Sequence, residues 1–366
     1  MPEATVPGIG WPHRPHGDVA GDHLGWVSRE VEDVSRETHS ETTTRDHDSF
    51  GPTPAPGTRA YPRAGDIVDL GPVGDDSTPL AAAVAEQVNR MALDTRPFPR
   101  PRATRVFVVA NQKGGVGKTT STVNIAASMA QHGQRVLVVD LDPQGNASTA
   151  LQIDHRQGTP GIYEAIVDGQ PLSAVIQDCP DLKGLSVVPA SIDLAGAEIE
   201  LVSLVARESR LRKSLDAYLT EREEVGDRID YVFIDCPPSL GLLTVNALVA
   251  GREMLIPIQC EYYALEGLGQ LMHNVELIKS HLNPSLSVTT ILLTMHDART
   301  RLSAGVADEV RQYFGDLVLR TAVPRSVRIS EAPSYQQTVM TYDPTSPGAM
   351  SYLEASREIA ESKEAR

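Results

Sequence analysis

The apolar run Val106-Phe107-Val108-Val109-Ala110 leads straight into Asn111-Gln112-Lys113-Gly114-Gly115-Val116-Gly117-Lys118-Thr119-Thr120, and a segment with helical periodicity, Thr122 to Gln131, follows. Nothing else in the chain restricts the fold so tightly. Five apolar residues without alternation predict a strand buried on both faces, as in a parallel sheet. The glycines let successive main-chain N–H groups turn inward around an anion. The helix behind them adds unpaired N–H groups and the positive end of its dipole. Strand, glycine-rich turn and helix are together the setting of a phosphate-binding loop. In that setting Lys118 reaches the outer phosphates of a nucleotide, and the Thr119 hydroxyl ligates Mg²⁺. A turn that merely joins strand to helix is the plainer reading. The two lysines, the threonine pair and the flanking elements weigh against it.

The loop departs from its common form in one respect. A glycine is usual five residues before Gly117, and Gln112 stands there; a second lysine, Lys113, follows it. The form Lys113-Gly-Gly-Val-Gly-Lys118-Thr119 resembles the deviant Walker A motif of the ParA/MinD family of dimeric ATPases. The resemblance implies that Lys113, Gly114, Gly115, Val116, Gly117, Lys118, Thr119 and Thr120 hold ATP. It also implies that Lys113 crosses to the nucleotide of a partner subunit in an ATP-dependent homodimer, so that Lys113 and Lys118 both serve catalysis.

Two later strand ends carry carboxylates. Val136 to Asp140 is apolar and runs into Asp140-Leu141-Asp142-Pro143-Gln144-Gly145-Asn146; Tyr231-Val232-Phe233-Ile234 closes on Asp235. Carboxylates at the C-terminal ends of parallel strands sit where open α/β sheets bind ligands. Asp-Pro also starts many turns, and a strand ending in Asp is common, so each signal is modest alone. By resemblance to the family's remaining signatures, Asp142 orients the attacking water and contacts nucleotide. Asp140 supports the Mg²⁺ shell, and Asp235 holds a Mg²⁺-bound water.

Further strands are expected at Leu185 to Pro189, Glu253 to Ile258, Leu286 to Thr294 and Val318 to Ala322. Helices are expected at Ile192 to Leu204, Glu208 to Arg222, Leu265 to His281 and near Met350 to Arg366. The run Gln259 to Gly267 resembles the partitioning branch of the family, and belongs to packing or to a dimer interface. Two loops gather Arg299 and Arg301, then Arg325 and Arg328, in a chain of formal net charge -15. That net charge does not itself suggest nucleic acid, so any contact with DNA needs a local patch. Arginine forks suit phosphate oxygens; the same residues could equally form surface ion pairs with Asp297, Asp308 or Glu331. Asp297-Ala298-Arg299-Thr300 and Pro324-Arg325-Ser326-Val327-Arg328 resemble segments that supply nonspecific DNA contacts in chromosomal ParA proteins. The resemblance thus assigns Arg299, Arg328 and Arg301 to double-stranded DNA, and Pro324 and Arg325 to the adenine.

Residues 1–103 contain no lysine and are rich in Pro, Gly, Thr, Asp and His, the composition of a disordered acidic extension. Within it Leu80 to Leu93 has one apolar helical face, either a docking segment or a transient helix. The tandem Val27-Ser28-Arg29-Glu30 and Val34-Ser35-Arg36-Glu37 is either chance or a trace of a partner's DNA site in the coding sequence, which codons at Val34 to Thr38 decide. Cys179, Cys236 and Cys260 lack metal spacing and suit a reducing compartment. The expected fold is therefore a doubly wound, mainly parallel α/β sheet over residues 104–366. The family resemblance implies a cytoplasmic, nucleoid-associated partitioning ATPase working with a ParB-type centromere-binding protein. The alternative, a MinD-like membrane-cycling regulator, would want a basic amphipathic terminal helix, where this chain has Glu354, Glu358, Glu361 and Glu364.

Overall fold

The computed structural model describes residues 96–362, apart from Tyr263 and the side chains of 264–266. Residues 1–95, with the Val-Ser-Arg-Glu repeat and the Leu80 to Leu93 segment, lie outside the described residues. The last stretch expected as disordered extension, 96–103, is described, and its Phe98 is buried and stacks on His132 with ring centroids 4.4 Å apart.

One sheet organises the rest. In chain order the elements are β1 (Arg105–Val109), α1 (Lys118–Gln131), β2 (Val136–Asp140), α2 (Asn146–Ala150), β3 (Gln177–Asp178), β4 (Leu185–Val188), α3 (Leu194–Val202), α4 (Arg210–Glu224), β5 (Tyr231–Asp235) and α5 (Leu242–Ala250). Then come β6 (Glu253–Gln259), α6 (Ala264–His281), β7 (Ser287–His296), α7 (Arg301–Phe314), β8 (Val318–Pro324), α8 (Val327–Glu331), α9 (Val339–Tyr342) and α10 (Pro347–Glu361). The strand order is β3-β4-β2-β5-β1-β6-β7-β8. Every pairing is parallel except the short β3 edge, which runs antiparallel to β4.

Alternate residues of each central strand face opposite layers, and both layers are apolar. Val106 and Val108 of β1, with Val232 and Ile234 of β5, join the core under α3, α4 and α5. Phe107 and Val109, with Tyr231 and Phe233, join the core under α1 and α10. Burial on both faces is the reason these strands read as unbroken apolar runs. Phe107 and Phe233 stack with ring centroids 5.4 Å apart, and truncating either would cost about 3–5 kcal/mol.

The N-terminal edge of the sheet is tied by a buried ion pair. Arg105 Nε and Nη2 donate to Glu253 Oε1 and Oε2 at 2.7 and 2.6 Å, and Arg105 Nη1 donates to the Ile359 carbonyl of α10 at 2.6 Å. The opposite, C-terminal edge gathers the ends of β1, β2, β5, β6, β7 and β8, and with them the residues singled out above.

Candidate functional site

The loop 110–117 is formed by glycine geometry and pinned from two strands. Gly115 and Gly117 have φ of 73° and 89°, a left-handed backbone that side chains resist. Gly117 in that conformation starts α1 at Lys118, one turn before the apolar periodicity begins. Asn111 Nδ2 donates to the Pro257 carbonyl of β6 at 2.8 Å, and its Oδ1 accepts from Lys113 N at 3.1 Å. Thr294 Oγ1 of β7 donates to the Val116 carbonyl at 2.8 Å. The loop is thus held open by groups outside itself, leaving the N–H groups at the start of α1 available to an anion.

Lys118 is buried, and its Nζ donates to the Lys113 carbonyl at 3.3 Å. Burial pulls its pKa down; the charges of Asp235 and Asp142 push the other way. An ammonium so poorly solvated favours an anionic partner.

Asp235, at the end of β5, is fully buried. Its Oδ1 accepts from Thr122 Oγ1 at 3.1 Å, while Oδ2 has no hydrogen-bond partner. Burial and then the neighbouring Asp140 raise its pKa, and the Thr119 and Thr122 hydroxyls act in the opposite sense. A buried carboxylate oxygen without a donor is costly unless something binds there. Among the described residues no group of three His, Cys, Asp or Glu could hold a metal ion. A hard cation here would therefore take most of its ligands from water and phosphate oxygens, the manner usual for Mg²⁺. Thr119 and Asp235 fit that role.

Asp140 and Asp142 differ. Asp140 Oδ2 accepts from Ser148 N and Oγ at 2.9 and 2.8 Å, and Oδ1 accepts from Asp142 N at 3.2 Å. Both of its oxygens brace the loop, so its help to a metal shell would be indirect. Asp142 is half-buried and accepts only from Gln144 N, at 3.0 Å, among the described residues. Gly145, at φ 62°, closes the loop where a side-chain carbon would stand 2.6 Å from His155 Nδ1. A cleft of about 240 Å³ opens beside Thr119, Thr120, Asn146 and Thr149.

The Lys113 ammonium is paired with Glu261. Its Nζ lies 2.9 Å from Glu261 Oε2, and Arg325 Nη2 stands 4.0 Å from Glu261 Oε1. Arg325 thus stands beside Glu261, and neither it nor Pro324 is among the residues lining that cleft. The arginine loops leave neighbouring strands, since His296 pairs with Pro324. Arg299 forks onto Asp297 at 2.9 Å through both Nε and Nη2, which hold that carboxyl down at about 2. Arg328 reaches Glu331 at 3.3 Å and Asp343 at 3.4 Å. Arg301 opens α7, whose N-cap Thr300 accepts from Ser303 N at 3.3 Å. The ion pairs left open by the sequence are thus present with Asp297 and Glu331. Asn111, Thr122, Ser148, Thr294 and Glu261 escaped the sequence reading as site residues; only Thr122, one helical turn after Lys118, carried a local signal.

Residues 104–288 match a family described as an AAA domain. Over 256 residues the chain is 49% identical to the sporulation initiation inhibitor protein Soj of Bacillus subtilis, covering 70% of this chain and 98% of that one. It is 49% identical to the chromosome partitioning protein ParA of Myxococcus xanthus over 255 residues, 70% of this chain and 87% of that one. A solved structure of cobyrinic acid a,c-diamide synthase from Mycobacterium smegmatis, with bound ATP analogue and magnesium, is similar at 35% identity and TM-score 0.59, covering 70% of this chain and 94% of that one.

Proposed function

The chain belongs to the Soj/ParA family of chromosome-partitioning ATPases, and from that premise we propose that it is an ATP-driven switch that grips DNA as a dimer. The observation that carries the reading is a poorly solvated Lys118, at the end of the glycine loop, within the charge field of a buried Asp235 that has one oxygen without a hydrogen-bond partner.

In this reading the N–H groups of Gly114 to Thr120 cradle the phosphates of ATP, and Lys118 neutralises the outer two. Thr119 and, through water, Asp235 would hold Mg²⁺, which would offset the negative charge of the phosphates. Asp142 orients the attacking water, its loop stiffened by Asp140 and Ser148. The products are ADP and phosphate. Lys113 of each subunit reaches the partner's nucleotide, so the triphosphate joins the two copies. A cation supplied in trans also stabilises phosphoryl transfer.

Joining two copies doubles the set of Arg299, Arg301 and Arg328. Two weak patches on one rigid body bind far more tightly than either alone. About six phosphate contacts would make affinity fall by about a thousandfold between about 50 and 200 mM salt. A ParB-type centromere-binding protein stimulates hydrolysis and frees the dimer. Among the described residues no helix is long and apolar enough to cross a membrane.

The test is co-sedimentation with random-sequence duplex DNA, without nucleotide, with ADP and with ATP, across a salt series. Binding is expected with ATP alone and should vanish at high salt. Equal binding without nucleotide would overturn the reading.

A further inference from the structure

We propose that Glu261 is a positioning residue that parks Lys113 within its own subunit until a partner's phosphates claim it. This rests on the reading above that Lys113 acts across the dimer. Three donors converge on the one carboxylate: Lys113 Nζ at 2.9 Å, the Gln259 side-chain amide, and Arg325 Nη2 at 4.0 Å. Glu261 lies two residues past the end of β6, with its N–H on the Gln259 carbonyl at 2.8 Å. Lys113 is anchored at its main chain by Asn111, and Asn111 in turn is bound to β6. The two backbones are therefore fixed relative to each other by adjacent strands, and only the side chains need move.

The pair is built to be broken. The side chains of Lys113 and Glu261 are 38% and 45% exposed. An ion pair of that kind shifts an equilibrium by about fivefold at most. The concentrated charge of a partner's triphosphate outcompetes one half-solvated carboxylate. Release strands nothing, because Gln259 and Arg325 stay on Glu261. While parked, Lys113 is withheld from the interface, and the apparent affinity for a second subunit falls by the fraction of chains in which it is free. Each dimer opens two such pairs, so the penalty compounds to about 25-fold. The arrangement raises the threshold for dimerisation and favours the nucleotide with the greater charge.

The experiment compares Glu261→Gln with the wild-type chain. In nucleotide-free protein, Lys113 is pulsed with an amine-acylating ester and quantified by peptide mass spectrometry, normalised to Lys183. Acylation of Lys113 should be about two- to fivefold faster in the variant; equal rates overturn the proposal. In analytical ultracentrifugation with ATP, E261Q should dimerise more tightly by up to about 25-fold, and that gain should disappear when Lys113→Ala is added. A gain that survives Lys113→Ala would mean that charge alone is at work, and would also overturn it. If the wild-type chain does not dimerise with ATP, it is the reading of Lys113 across the interface that fails, and the acylation rates still report whether Glu261 holds the amine.

Discussion

Thr122 Oγ1 donates to Asp235 Oδ1 at 3.1 Å, and the other oxygen of that buried carboxylate has no hydrogen-bond partner. The site is therefore organised at the expense of the fold. Burial raises the Asp235 pKa above its ordinary 3.8, with Asp140 adding to the shift. A carboxyl raised in the folded state binds its proton more firmly there than in the unfolded chain. Its contribution to stability is full below about pH 4 and is lost as pH climbs through the raised value. In EDTA, Asp235→Asn should melt above wild type at pH 7.5, by about 1–3 kcal/mol. The two curves should converge on acidification. Thermal denaturation against pH measures this, and a lower melting point for the variant at pH 7.5 would contradict it.

Lys118→Ala removes the ammonium that burial has left in search of an anion. A charge-assisted contact of this kind is worth about 1.5–3 kcal/mol, and a buried site raises the figure. Affinity for a fluorescent ATP analogue should drop at least about 100-fold. Retained tight binding would mean that the nucleotide lies elsewhere.

Much of this site could be read from the sequence because its chemistry stands at the ends of apolar strands. Asp140 and Asp235 each close a run that packing demands, Asp142 stands two residues past the first of them, and the glycine loop follows another. Helices with an even polarity were harder. Leu242 to Ala250 is apolar almost throughout, so α5 gives no period. Lys118 to Ser121 is polar, so the apolar period begins only at Thr122, a turn into α1. The two-residue β3 carries no apolar signal at all. Contacts that pin the loop were invisible for a different reason: Thr294 meets Val116 across 178 residues of chain, and Glu261 meets Lys113 across 148. Only the sheet order brings them together.

Asp142→Ala should separate binding from turnover. Its carboxylate accepts only from Gln144 N among the described residues, so the loop, held by Asp140 and Ser148, survives its loss. The variant should bind ATP, form dimers and remain on DNA while hydrolysis falls by about 100-fold or more. Phosphate release assayed beside co-sedimentation decides it; ordinary turnover would refute the role of Asp142.

Arg105→Met should destabilise the fold without touching the nucleotide edge. It strands Glu253 in the core and frees the Ile359 carbonyl, which ties α10 to β1. Breaking such a pair costs about 3–5 kcal/mol, while replacing both partners with apolar groups costs far less. Arg105→Met with Glu253→Leu should therefore recover most of the loss in urea denaturation. A double variant as unstable as Arg105→Met would show that the pair acts through something other than charge burial.

Asp297 bears on DNA through Arg299. Its carboxylate takes both prongs of the guanidinium at 2.9 Å, and a phosphate must displace it to use the same fork. The Arg299 side chain is 89% exposed, so the exchange is cheap but not free. Asp297→Asn keeps the turn that precedes α7 yet removes the competing charge. It should tighten ATP-dependent DNA binding by about two- to fivefold per subunit, whereas Arg299→Glu with Arg328→Glu should abolish that binding and leave dimerisation intact. The sign of the Asp297 effect matters most. Surface ion pairs with no role in DNA contact would leave affinity unchanged in both variants, and phosphate contacts move it in opposite directions.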